Sequence, residues 1–118
     1  MKKDTTLGAY RILAIVLIVL GVIHCLMVFV YYESLTHEAL YSIGTGIAVI
    51  ILGLLNYSAA KLLSPILFTV AIIANTIQTL YGFLSLRLIN GLPTYLGILT
   101  FLLSLVLSWI VRKQTTDS

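Results

Sequence analysis

The sequence predicts an all-α fold: an integral membrane, antiparallel four-helix bundle with both termini on the cytoplasmic side. Three observations carry this expectation. Of 118 residues, 60% are hydrophobic and 9% charged, against roughly 45–50% and about 25% in an ordinary soluble domain. The charges also leave four uninterrupted intervals, 12 to 32, 39 to 60, 62 to 86 and 88 to 111, which are 21, 22, 25 and 24 residues long. Each exceeds the roughly 18–20 apolar residues that carry a helix across about 30 Å of hydrocarbon. Finally, an up-down-up-down path collects six cations, Lys2, Lys3, Arg11, Lys61, Arg112 and Lys113, on one side and leaves Arg87 alone on the other. Short loops rich in Lys and Arg stay in the cytoplasm.

Taken in order, the spans run from about Ile12 to Tyr31, His37 to Tyr57, Pro65 to Leu86 and Leu92 to Val111. Helices are expected rather than strands, because lipid offers no partner to unpaired backbone groups. Thr36 is placed to cap the second helix, with Glu38 in its positive first turn. Ser64-Pro65 reads as an N-cap followed by a proline at the first helical position, where its missing N–H costs nothing. Asn90-Gly91-Leu92-Pro93 joins a turn dipeptide to another early-helix proline. Tyr31, Tyr32, Tyr41, Tyr81 and Tyr95 fall at the outer interface, and Tyr10, Tyr57 and Trp109 at the inner one, where amphipathic rings gather. One domain is expected over residues 1–118. The first span is too long for a cleaved signal peptide and lacks a small-residue cleavage site.

Several function classes drop out. Dispersed cations do not make a nucleic-acid surface, and one cysteine, Cys25, makes no disulfide framework. The chain has no H-x-x-x-H, C-x-x-C, G-x-S-x-G or phosphate loop. Its carboxylates are too scattered for an acid and base pair. No catalytic residue and no metal are expected, the cofactor is left unknown, and nucleic acid is excluded as a partner.

Because lipid is as apolar as leucine, helices must meet through small residues and polar contacts. Each span offers such a stripe: Ala14, Gly21, His24 and Val28; Ser42, Gly46, Gly53 and Asn56; Ala71, Asn75, Gln78, Gly82 and Ser85; Gly97, Thr100, Ser104 and Ser108. Counted from the span midpoints at about 1.5 Å per residue, His24 and Gln78 lie about 4 Å outward, Asn75 close to the midplane, and Thr45 and Thr100 about 2–3 Å outward. This places a polar core on His24, Asn75 and Gln78, with Thr100 and Ser42 as further ligand or pathway residues. It opens towards an outer mouth of Glu33, His37 and Glu38. The same residues have a structural reading, in which a neutral imidazole and two carboxamides are hydrogen-bonded clasps that fix helix register. Cys25 reads as packing, and Arg87 as a cation that snorkels to the headgroups or pairs with an acid.

Gly21-Val22-Ile23-His24 and Gly53-Leu54-Leu55-Asn56 resemble motifs in a broad set of small bacterial four-span membrane proteins. That resemblance covers about half the chain and implies the four-span fold and a bacterial inner membrane, with no named activity. The chain departs from small multidrug resistance transporters, which rely on a glutamate in the first helix where this sequence has His24.

The expectation that follows is a non-enzymatic binding or assembly protein of the membrane, taking a lipid-like ligand or a membrane partner. One alternative is a small oligomeric transporter or channel using the same residues. The other is a membrane enzyme or redox subunit acting on a quinone or lipid. The expected partners are the bilayer and either further copies of the chain or a larger membrane complex. The cation bias has a direct test. Reporters that fluoresce only in the cytoplasm should be active when fused to either terminus and silent when inserted after Glu33; the reverse pattern would overturn the orientation.

Overall fold

The computed structural model describes residues 3–116, so Lys2 and Asp117 lie outside it. Four helices account for almost all of it: α1 (Lys3–Tyr31), α2 (His37–Leu62), α3 (Pro65–Ser85) and α4 (Leu92–Thr116). All four are long and apolar enough to cross a membrane. Each packs on its neighbours in sequence, and α4 returns to α1, which closes a four-membered ring measuring 52 × 24 × 21 Å. The start of α1, the end of α4 and the α2–α3 link occupy one end, the termini end; the α1–α2 and α3–α4 connections occupy the other, the hairpin end.

Three helices run further than their charge-free intervals. α1 begins at Lys3, α2 continues to Leu62 and α4 to Thr116, because long cationic side chains at helix ends can reach out from an apolar stem without ending the helix. The caps follow the local chemistry. Thr36 Oγ1 accepts from Ala39 N at 3.1 Å, and Ser64 Oγ accepts from Leu67 N at 3.4 Å just ahead of Pro65. Between α2 and α3 only Leu63 and Ser64 remain. That tight reversal puts Leu63 in the left-handed region at φ 52°, with its N–H returned to Ala59 O at 2.9 Å.

Backbone contact fixes the α1–α2 pair. A Cβ added to Gly53 would lie 2.8 Å from Ala14 O, and one added to Gly21 would lie 2.7 Å from Gly46 O. Gly46 in turn backs onto Cys25 Sγ and Gly21 O. Seven-residue spacing, Ala14 to Gly21 and Gly46 to Gly53, keeps these positions on one seam of each helix. In α3 and α4 the approach is looser, since Gly82 meets only side chains, those of Ile98 and Phe101.

Two apolar layers fill the ring. Towards the termini end, Tyr10, Ala59, Ala60, Phe68, Ala71 and Val111 pack together, with the Tyr10 and Phe68 ring centroids 6.1 Å apart. Nearer the middle, Leu17, Val49, Leu52 and Phe101 form a second layer. Large apolar side chains elsewhere, such as Ile12, Phe29, Ile66 and Leu88, face outward.

The glycine seam separates close contact from open space. Gly21→Val and Gly53→Val should each lower stability by about 1–3 kcal/mol, because backbone atoms cannot move aside as a side chain would. A Cβ on Gly8 or Gly44 meets nothing within 4 Å, so Gly8→Ala and Gly44→Ala should leave the melting temperature in mild detergent unchanged or raised.

Candidate functional site

Burial of a polar side chain demands a partner, and the bundle supplies one from each helix. Asn56 and Asn75 face one another across α2 and α3 as a reciprocal amide pair: Asn56 Nδ2 donates to Asn75 Oδ1 at 3.0 Å, and Asn75 Nδ2 to Asn56 Oδ1 at 2.9 Å. Tyr10 of α1 donates its hydroxyl to Asn56 Oδ1, and Asn75 Nδ2 also reaches Ser108 Oγ of α4 at 3.4 Å. The second proton on Asn56 Nδ2 goes to Leu52 O at 2.8 Å. Tyr10, Asn56, Asn75 and Ser108 are each fully buried. This clasp is internally satisfied, and it closes the middle of the ring at the termini half.

At the hairpin half the arrangement differs. Between α2 and α3 lies an open crevice of about 420 Å³ lined by Tyr41, Gly44, Thr45, Ala48, Ile77, Gln78 and Tyr81. Gly44 and Ala48 keep its α2 wall low. Across its outer part the Thr45 and Tyr81 hydroxyls stand 3.4 Å apart, and Thr45 also donates to Tyr41 O at 3.1 Å. Gln78 is half-buried there, and among the described residues its carboxamide makes no hydrogen bond.

These positions revise the expected polar core. Asn75 is buried at a four-helix junction, whereas His24 is exposed on the surface of α1. The two cannot meet: Asn75 is tied through Asn56 to Tyr10, and Tyr10 and His24 are separated along one continuous helix by about 21 Å at 1.5 Å per residue. Gln78 lines the α2–α3 crevice, one turn beyond Asn75 on α3, and takes no part in the bonds that hold Asn75. Thr100 is half-buried and returns its hydroxyl to Leu96 O at 2.8 Å, and Ser42 is half-buried on α2 near its hairpin end. Of the expected mouth, Glu33 lines a small pocket of about 130 Å³ beneath the α1–α2 connection, while His37 and Glu38 are exposed in the first turn of α2. Cys25 is a half-buried free thiol directed at Ile43 O, 3.6 Å away. Among the described residues no three His, Cys, Asp or Glu side chains gather as a metal ion would need.

Asn56, Asn75 and Ser108 of the clasp all lie on the expected stripes, but of these only Asn75 belongs to the expected core, and Tyr10 is expected at the interface instead. The usable signal was Asn56 itself. An amide five residues before Lys61 reads as a membrane-edge residue only if the helix stops at Tyr57. No family model, curated protein or solved structure matches the chain.

The clasp should behave as a unit. Asn56→Leu and Asn75→Leu should each cost about 1–3 kcal/mol, because each strands its partner amide in an apolar interior. The double substitution removes both and should cost clearly less than the sum of the two. A double-mutant cycle read by chemical or thermal unfolding in detergent measures the coupling, and strict additivity would count against a shared bond.

Proposed function

We propose that the chain is a non-enzymatic, multi-pass membrane protein that binds an amphipathic, lipid-like ligand between α2 and α3. In this reading it sits in a bacterial inner membrane with both termini cytoplasmic, which puts the crevice in the outer-leaflet half. The observation that carries the reading is the crevice, whose volume falls in the range of about 300–1,000 Å³ common for small-molecule sites. Gly44, Ala48 and Ile77 offer an apolar bed for an acyl or isoprenoid chain. Gln78, Thr45 and Tyr81 offer donors and acceptors to its polar part. An unpaired carboxamide facing hydrocarbon is costly, and a ligand that hydrogen-bonds to Gln78 removes that cost.

The clasp supports binding over conduction along the bundle axis. Any axial path would have to break the bonds among Tyr10, Asn56, Asn75 and Ser108, which are already made. His24 in turn lies on the outer surface of α1. Of the residues expected to line a site, Gln78 is the ligand contact in this proposal, and Asn75 is part of the scaffold.

Native mass spectrometry of the protein from gentle detergent, paired with lipid extraction, tests this. Wild type should retain a lipid-sized species. Ala48→Phe, at an exposed position that tolerates bulk, should fill the crevice and deplete that species about fivefold, and Gln78→Leu should deplete it comparably, as loss of a hydrogen bond worth about 1 kcal/mol implies. Identical lipid complements in wild type and Ala48→Phe would overturn the site, and solute flux through liposomes holding only the purified protein would overturn the non-transport reading.

A further inference from the structure

At the termini end, two cations flank the α1–α2 seam. Arg11 lies seven residues before Ile18 and fourteen before Cys25, both of which border the glycine contacts with α2. It is exposed, and its Nη2 reaches Ala60 O at 3.4 Å. Lys61 follows Ala60 directly and is exposed as well. It stands one turn beyond Tyr57, which lies seven residues beyond Ile50, whose backbone N would sit 2.9 Å from a Cβ on Gly21. Arg11, Tyr57 and Lys61 therefore share one edge of the α1–α2 pair, at the boundary between the apolar surface and the chain ends.

Among the described residues, charge at this corner is not balanced from within. The C-terminus of α2 contributes about half a negative charge, which Arg11 meets through Ala60 O, against two full positive charges. Asp4 is the one acidic residue described at this end. It lies two turns away along α1, about 10 Å, in the first turn, where it complements the positive helix start. The guanidinium has five N–H donors in a planar fork and the Ala60 carbonyl engages one of its nitrogens, so a fork edge stays open to a phosphate.

We propose that Arg11 and Lys61 form a headgroup site for an anionic phospholipid, with Arg11 donating in a bidentate manner to the phosphodiester and Lys61 supplying the second charge. The occupant is a lipid because the two cations edge an apolar surface on which Ile15, Ile51 and Leu54 are exposed, so an acyl chain lies alongside while its phosphate meets the charges. Tyr57, on the same edge and partly exposed, offers its hydroxyl to the headgroup. The site rests on the membrane placement proposed above and is independent of the crevice, which lies at the other end of α2.

Full-length protein in nanodiscs of phosphatidylcholine with a minor share of phosphatidylglycerol provides the test, with retained lipids counted by native mass spectrometry. Wild type should retain phosphatidylglycerol over phosphatidylcholine. Removing each cation should reduce that preference about fivefold, the effect of one basic residue at an anionic surface, so Lys61→Gln and Arg11→Gln should each show it and the double variant should abolish the preference. Lys61→Gln leaves the Arg11–Ala60 contact intact and keeps the test standing if the Arg11 variant does not fold. Lys113→Gln, at the same end on α4, should leave the preference unchanged. An unaltered preference in Lys61→Gln, or an equal loss in Lys113→Gln, would overturn a defined site. Displacement of the lipid by millimolar inorganic phosphate alone would overturn the lipid as its occupant. Loss of crevice binding in Ala48→Phe with the phosphatidylglycerol preference intact would separate the two proposals.

Discussion

A pair of asparagine side chains holds this bundle in one register. Apolar helices in an apolar solvent gain little by touching, and many rotations and offsets of Leu, Ile and Val surfaces are nearly equivalent. The Asn56–Asn75 pair removes that degeneracy, because a carboxamide has donors and acceptors on fixed sides and a slip of one residue leaves both unsatisfied. Tyr10 and Ser108 extend the constraint to α1 and α4. Four helices are thereby located by one cluster of side chains, with Leu52 O taking the remaining amide proton.

The glycine seam does different work. Gly21, Gly46 and Gly53 bring the backbones of α1 and α2 so close that a methyl group would overlap a carbonyl, which maximises dispersion contact along the pair. The asparagines select the arrangement, and the seam makes one side of it tight. Since α3 and α4 lack an equivalent backbone contact with α2 near the hairpin end, the space beside Gly44 and Ala48 stays open there. The closed half and the open half of the molecule thus have separate physical causes, and the proposed binding role uses the open one. Arg11 and Arg112 reinforce the closed half from outside, through Ala60 O on α2 and Thr69 Oγ1 on α3.

Much of the packing is legible in the sequence. Ala14, Gly21, Gly46, Gly53, Ala71, Asn75, Gly82, Ser104 and Ser108 were all expected on inward stripes, and all are buried. His24 was expected with them and is exposed. Periodicity could not separate it, because it follows Leu17 by seven residues and Leu17 is wholly buried. Both lie on one face of α1, and so do Gly21 and Val28, which are buried on either side of His24; a few tens of degrees of rotation about the helix decide between them. Thr45 and Gln78, expected at similar depths, do line one crevice, but Asn75 lies at another level relative to α2. A common level for all span midpoints would set Asn75 beside the middle of α2, whereas Asn75, at the middle of α3, pairs with Asn56, six residues from the end of α2.

What the sequence determined alone was the number of helices, their boundaries at the hairpin end to within one residue, the Thr36 and Ser64 caps and the small-residue seams. Those properties depend on local composition and on a period of 3.6, both of which are written along the chain. Tertiary structure alone decided which amide met which, how far each helix slid along its neighbour, and where the ring opened. Those are differences between many nearly equal apolar packings, and only the simultaneous satisfaction of four polar side chains from four distant segments chooses among them.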